Sequence, residues 1–240
     1  MYTLLAVFLG AAVGSFLNVC IVRIPKEESI VFPGSHCQSC QKKIAPLDNI
    51  PLLSFLILKG RCRYCAAKIS RQYPLVEFLS AGVFVLFYYY FGFTVKGALY
   101  LLLALALLTE TFIDLRHRII PDVITLPGIV IGLAASAFFP GLHDQRFWLG
   151  GLLRSLIGML VGGGFFYMTG MLAERVLKKE AIGGGDIKLM AMIGTLLGWQ
   201  GAALTIFSSS VVGSVVGVYL KIKNGEERIP FGPFIALGAF

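Results

Sequence analysis

Two groups of residues have the types and spacing to do chemistry. The first is Cys37-Gln-Ser-Cys40 with Cys62-Arg-Tyr-Cys65, two CxxC pairs divided by a polar, Pro-containing stretch. Four thiolates at this spacing close a tetrahedral site, so Cys37, Cys40, Cys62 and Cys65 are expected to bind zinc. A filled four-sulfur site has no open position for water, which makes that metal structural. The basic neighbours Lys42, Lys43, Arg61 and Arg63 favour the thiolate form. Unmetallated pairs or transient disulfides remain the alternative. His36 is read as a solvated neighbour and Cys20 as a small core residue. The second group is a pair of carboxylates. Asp114 opens Asp114-Leu-Arg-His-Arg-Ile-Ile-Pro-Asp122, and Asp186 closes Gly183-Gly-Gly-Asp186. Two carboxylates held close cannot both ionise: one keeps a proton while the other activates water, the division of labour that hydrolyses peptides. Each also has a plainer reading. Asp186 suits a helix N-cap after a glycine turn, and Asp114 an interfacial charge paired with Arg116 or Arg118.

The elements that must position these groups lie in a membrane. Hydrophobic residues make up 57% of the chain and charged ones 14%, and mean hydropathy is +0.80. The apolar residues come in unbroken blocks of about the length that crosses a hydrocarbon core roughly 30 Å thick. Without alternation, these blocks are helices rather than barrel strands. The expected fold is an all-α polytopic membrane protein of about eight transmembrane helices, with a cytoplasmic zinc-ribbon-like loop after the first. Spans fall near 3–22, 74–92, 97–113, 122–139, 148–172, 187–199 and 201–220, with an eighth starting at Phe231. Three parts follow: a first helix at 1–22, a four-cysteine domain at 23–73 and a membrane-embedded domain at 74–240. The first block has neither a basic leading region nor an ordinary cleavage site, and is read as a retained span. The runs 187–199 and 231–240 are short for a full crossing. No internal repeat stands out.

Orientation follows from basic residues. The segment Arg23–Arg71 is rich in Lys and Arg, and such loops stay in the cytoplasm. Counting spans from there places Asp114–Pro121, Ala173–Asp186 and Lys221–Pro230 on the same side, so both aspartates face the cytoplasm. The net charge of +8 is then an orientation signal, and no nucleic-acid partner is expected.

Six collinear motifs carry a resemblance: GSFLNVCIVRIP at Gly14–Pro25, the paired CxxC module, QYPLVEF at Gln72–Phe78, FIDLRHRIIPD at Phe112–Asp122, GGGDIKLM at Gly183–Met190 and IPFGP at Ile229–Pro233. Together they resemble the bacterial prepilin peptidases, the type IV leader peptidases of the GxGD aspartic class. The resemblance implies Asp114 and Asp186 as the catalytic pair. It implies precursors of type IV pilins and type II secretion pseudopilins as partners, cut after a glycine at the cytoplasmic face of the inner membrane. Because the cysteine loop is present, it also implies N-methylation of the new amino terminus with S-adenosylmethionine. The methyl-donor site is unlocated, since the sequence has no dinucleotide-type glycine fingerprint in a strand-to-helix setting.

Other polar residues near spans have two readings each. Glu77 either grips substrate or snorkels to the surface, and Lys188 either tunes the aspartates or meets lipid phosphates. Glu110, one turn before Asp114, is read as a hydrogen-bonding group facing the bundle, with proton sharing as the alternative. Asp122 is expected as a helix N-cap after Pro121, and Asn18 as a polar link between helices. Two other classes stand against the peptidase: a noncatalytic scaffold that recruits partners through its zinc ribbon, and a proton-coupled transporter, for which no mid-depth charges line a path.

Overall fold

The computed structural model describes residues 2–178, 182–224 and 230–240. Glu180, Ala181 and Ile229, which belong to the loops and motifs above, lie outside the described residues. The helices are α1 (Tyr2–Arg23), α2 (Leu53–Ile57), α3 (Gln72–Phe91), α4 (Val95–His117), α5 (Asp122–Phe138), α6 (Trp148–Leu177), α7 (Gly184–Asn224) and α8 (Gly232–Ala239). Among the described residues there is no strand, only two isolated bridges, His36 with Lys43 and Arg61 with Lys68. Among the described residues, five helices are long and apolar enough to cross a membrane: α1, α3, α4, α6 and α7. Helix α5 is a shorter apolar helix. Large apolar side chains such as Phe8, Phe138, Phe207 and Ile222 stay uncovered. Hydrocarbon accepts such a surface, whereas water would drive it to associate. The chain is an all-α, multi-pass membrane protein.

The expected runs 187–199 and 201–220 lie on either side of a break inside α7. There Gly198 leaves helical geometry with φ 70° and ψ −178°, a backbone that glycine adopts without strain. The His143 ring lies beside it, 3.3 Å from where a Cβ would stand. One turn earlier, the Thr195 carbonyl accepts bonds from Ser155 Oγ (2.7 Å) and Ser136 Oγ (3.3 Å), with His143 Nε2 at 3.2 Å. Side-chain hydroxyls and an imidazole thus supply polar partners beside an interrupted ladder.

The chain divides into two compact units, Met1–Leu101 and Leu102–Phe240. In the first, α1 lies directly on α3. A Cβ at Gly10 would stand 2.7 Å from Ala81 Cα, and one at Gly14 2.7 Å from Glu77 Cα, so only glycine permits this approach. Asn18 Nδ2 ties the two helices by donating to the Tyr73 carbonyl at 3.0 Å. Arg23 ends α1 by donating to the carbonyls of Ser29 and Pro33 at 2.9 and 2.7 Å, which fixes where the polar segment begins.

That polar segment contains a repeat that the sequence reading missed. Cys37 N–H donates to the Lys42 carbonyl and Ile44 N–H to that of Ser35; Cys62 N–H donates to Ala67 and Ile69 N–H to Gly60. Gln41 (φ 59°) and Ala66 (φ 55°) make the same left-handed turn after each CxxC. Ser35–Ile44 and Gly60–Ile69 are therefore two copies of one knuckle. The signal was present in HCQSCQKKI against RCRYCAAKI, but it is shorter than the periods at which repeats are normally sought.

In the second unit, α5, α6, α7 and α8 pack around a core that includes Leu189, Met190, Ile193 and Ile235, all fully buried. Helices α6 and α7 approach backbone to backbone, Gly158 against Gly194, where any larger side chain would collide with the opposite carbonyl.

Candidate active site

Asp114 sits in the last turn of α4 and is 5% exposed. Its Oδ2 accepts the backbone N–H of Gly232, the first residue of α8, at 2.9 Å. A helix N-terminus presents free amides and a favourable dipole to a carboxylate. Glycine is required for this contact, because a Cβ at position 232 would fall 2.8 Å from the same oxygen. Phe231 packs against Phe166 and Phe234 with ring centroids 6.0 Å apart in each case, which anchors the turn that delivers the amide.

Asp186 lies in the first turn of α7 and is half-buried, its own N–H donating to the Gly183 carbonyl at 3.1 Å. Its glycines have a specific use. A Cβ at Gly185 would stand 2.8 Å from Ile120 Cβ, so the bare backbone lets the Gly183–Asp186 turn lie against the loop that follows Asp114. Arg118 opens that loop in left-handed geometry (φ 55°), its N–H closing α4 on the Asp114 carbonyl at 2.9 Å. A second clasp joins the same segments: Lys188 Nζ pairs with both oxygens of Asp122 at 2.7 Å. Asp114 and Asp186 end up within electrostatic reach of each other. Glu110, one turn before Asp114 and 1% exposed, is within reach of both. Two carboxylates from different helices that share one site can hold a water between them and divide its protons.

Several expected roles change. Asp122 is the first helical residue of α5 rather than its cap; Pro121 is the N-cap, no side chain caps, and the Asp122 carboxylate serves Lys188. Lys188 accordingly faces Asp122. Glu110 was expected to hydrogen-bond, but neither of its oxygens has a partner among the described residues. Glu77 belongs to the first unit, 7% exposed, where its Oε2 accepts the Leu52 N–H at 2.7 Å. Leu52 has φ 62°, so this bond holds a strained turn of the cysteine region against α3. Gly232 was missed as a site residue. Its motif IPFGP was visible, but the sequence offers no way to tell which distant carboxylate an amide will meet.

The four cysteine sulfurs lie within 4.8 Å of one another, with Cys37 and Cys65 Sγ 3.8 Å apart. Tetrahedral zinc with Zn–S of about 2.3 Å sets sulfurs about 3.8 Å apart, so Cys37, Cys40, Cys62 and Cys65 fit that ion. The amides of Cys40 and Ser39 pull the Cys37 thiol down to about 6. At Cys65 the Ala67 amide pulls down, but burial and the neighbouring sulfurs outweigh it and push the thiol up to about 11. Arg63 reaches across to Asp48 with two bonds of 2.7 and 2.6 Å, which holds that carboxyl below its usual range. Beside this centre is a cavity of about 620 Å³, lined by Asn18, Glu28, Asn49, Tyr73 and Glu77 among others.

Fold and site together define a polytopic membrane protein with an aspartate pair in one unit and a four-cysteine module in the other. Residues 8–91 match the bacterial peptidase A24 N-terminal domain, and residues 101–218 match the type IV leader peptidase family. A Pseudomonas aeruginosa protein named prepilin leader peptidase/N-methyltransferase is 37% identical over 269 residues, covering 100% of this chain and 89% of the relative. One of the same name from Myxococcus xanthus is 40% identical over 93% of this chain and 65% of its own length. An Escherichia coli type 4 prepilin-like proteins leader peptide-processing enzyme is 37% identical over 95% of this chain and 88% of its own. No solved structure matches the chain significantly. The chain belongs to the type IV leader peptidase family and is an enzyme of that peptidase class.

Proposed function

We propose that this protein is an intramembrane aspartic endopeptidase. It removes the short basic leader of type IV prepilins and pseudopilins, after a glycine, at the cytoplasmic face of the bacterial inner membrane, and it N-methylates the exposed amino terminus. The observation that carries the reading is the convergence of Asp114 and Asp186, 72 positions apart in the sequence, within electrostatic reach of each other, where the Gly232 amide holds Asp114. A water between the carboxylates attacks the scissile carbonyl. One aspartate takes its proton while the other donates to the carbonyl oxygen and then to the leaving amine. The pair titrates jointly, so the roles belong to the pair. The substrate helix enters from lipid, and nucleic acid plays no part.

Zinc held by Cys37, Cys40, Cys62 and Cys65 folds the polar segment and takes no part in hydrolysis. S-adenosylmethionine supplies an electrophilic methyl group. The 620 Å³ cavity of the first unit is within the range that holds such ligands, and it offers Glu28, Asn49 and Tyr73 for a cationic, polar molecule.

The test is incubation of the purified protein with a synthetic prepilin precursor, read by mass spectrometry for leader release and for added methyl. Leader release lost in Asp114→Asn and Asp186→Asn, with methylation of an already cut peptide retained, supports the reading. Unaltered leader release in both variants would overturn the aspartic mechanism, and no release by the parent from any precursor would favour the scaffold.

A further inference from the structure

Among the described residues of the second unit, Glu110 is the buried carboxyl that the two-aspartate mechanism does not use. It sits on α4 one turn before Asp114, and residues at this spacing share a helix face with Cβ atoms about 5–6 Å apart. It is 1% exposed, and both of its oxygens lack a hydrogen-bond partner among the described residues. The charged groups acting on it are Asp114 from its own helix and Asp186 from α7, and both are acidic. Arg118 faces Asp114, and α8 brings the Gly232 amide, which Asp114 already occupies. An ionised Glu110 would therefore be a third buried negative charge with no donor and no cation of its own, the least affordable form of a carboxyl group. A protonated carboxyl carries a donor, and the nearby acceptors are the aspartate oxygens and the water they hold.

We propose that Glu110, as a neutral acid, is a positioning residue of the peptidase site, donating its proton in a hydrogen bond, direct or through one water, to the Asp114–Asp186 pair. This rests on the aspartic peptidase reading. It adds a third carboxyl to the site, one that neither attacks nor leaves. Its donor complements the Gly232 amide, so that the ionised member of the pair is held from two directions while the other keeps the shared proton.

The experiment compares the parent with Glu110→Gln, which keeps a donor and cannot ionise, and Glu110→Leu, which fills the space without one. Infrared spectra of the protein in ester-free detergent at neutral pH should contain, beside any band of the proton shared by the aspartate pair, a protonated-carboxyl carbonyl stretch that is lost in E110Q and retained when Asp114 and Asp186 are both changed to Asn. Absence of that band from the parent overturns the proposal, whether or not any variant cleaves. This readout therefore also separates its failure from that of the peptidase reading. In cleavage assays, E110Q should retain most of the parental kcat with the limbs of the pH profile in place. E110L should lose about 10–100-fold in kcat, as expected for a lost hydrogen bond to a charged group, with the acid limb displaced and KM little changed. Parental kcat and pH profile in E110L, or an E110Q as impaired as E110L, would overturn it. If E110L does not fold, the spectrum and E110Q decide.

Discussion

The cysteine module and the aspartate site are built in opposite ways. The module takes its four ligands from a single stretch, Cys37 to Cys65, and each pair sits in a knuckle closed by hydrogen bonds only a few residues long. The aspartate site takes Asp114 from the end of α4, Asp186 from the start of α7 and an amide from the start of α8. Local construction needs an external staple, because a polar segment buries too little apolar surface to fold unaided, and the proposed zinc, which the four clustered sulfurs fit, would be that staple. Construction from distant segments needs helices packed to a fixed register, which the glycine contacts between α6 and α7 and the apolar core supply. The module is therefore expected to fail by losing its metal, and the aspartate site by losing its alignment.

Metal loss gives the largest effect. Structural zinc sites of this kind contribute about 10–16 kcal/mol at pH 7, so chelation or Cys37→Ser should unfold the segment between α1 and α3. Limited proteolysis should then cut there first. Acid should act as chelation does, since ligation needs thiolates. A segment that stays protease-resistant without metal would break the contrast.

Alignment should be lost next in size. Gly185→Val pushes a side chain into Ile120, and Gly232→Val into Asp114, where even a Cβ would lie 2.8 Å from its neighbour in each case. A shift of about 1 Å at reacting groups costs on the order of 100-fold, so leader release should fall by about that factor with zinc content unchanged. Lys188→Ala removes only an exposed pair with Asp122, and such pairs contribute about 0.2–1 kcal/mol. Cleavage should drop a few-fold at low salt, less at high salt.

The smallest effect belongs to Asp48. Arg63 lowers its folded-state titration below that of the unfolded chain, so the pair stabilises the module at pH above the ordinary carboxylate range. That contribution is lost as pH falls through the lowered value. Thermal melts of parent and Asp48→Asn should differ slightly at neutral pH and converge in strong acid.

Legibility in the sequence follows the same contrast. The helices were readable because apolar blocks need no partner to be recognised. The four-cysteine cluster was readable because the spacing within each pair is local. The Asp114–Asp186 pairing was raised by two carboxylates at the ends of apolar spans and sharpened by motif resemblance, and the close approach of Gly185 to Ile120 brings their segments together. What escaped the sequence were contacts between residues far apart: Gly232 on Asp114, Lys188 on Asp122, Glu77 on Leu52. Each is an ordinary polar bond whose partner is chosen by packing. The break at Gly198 fell near the end of the short run 187–199, where the run 201–220 follows, but its placement inside one continuous element, with His143 beside it, depended on tertiary structure.

The central claim is that Asp114 and Asp186 act as one unit. It is tested most directly by measuring kcat for leader release in Asp114→Asn, Asp186→Asn and the double variant, each checked for retained fold and zinc. Groups that share a catalytic task are strongly non-additive, so each single change should abolish release by about 1,000-fold or more, and the double variant should be no slower than either single one. Two modest losses that multiply in the double variant, or one variant that cleaves like the parent, would contradict a shared site.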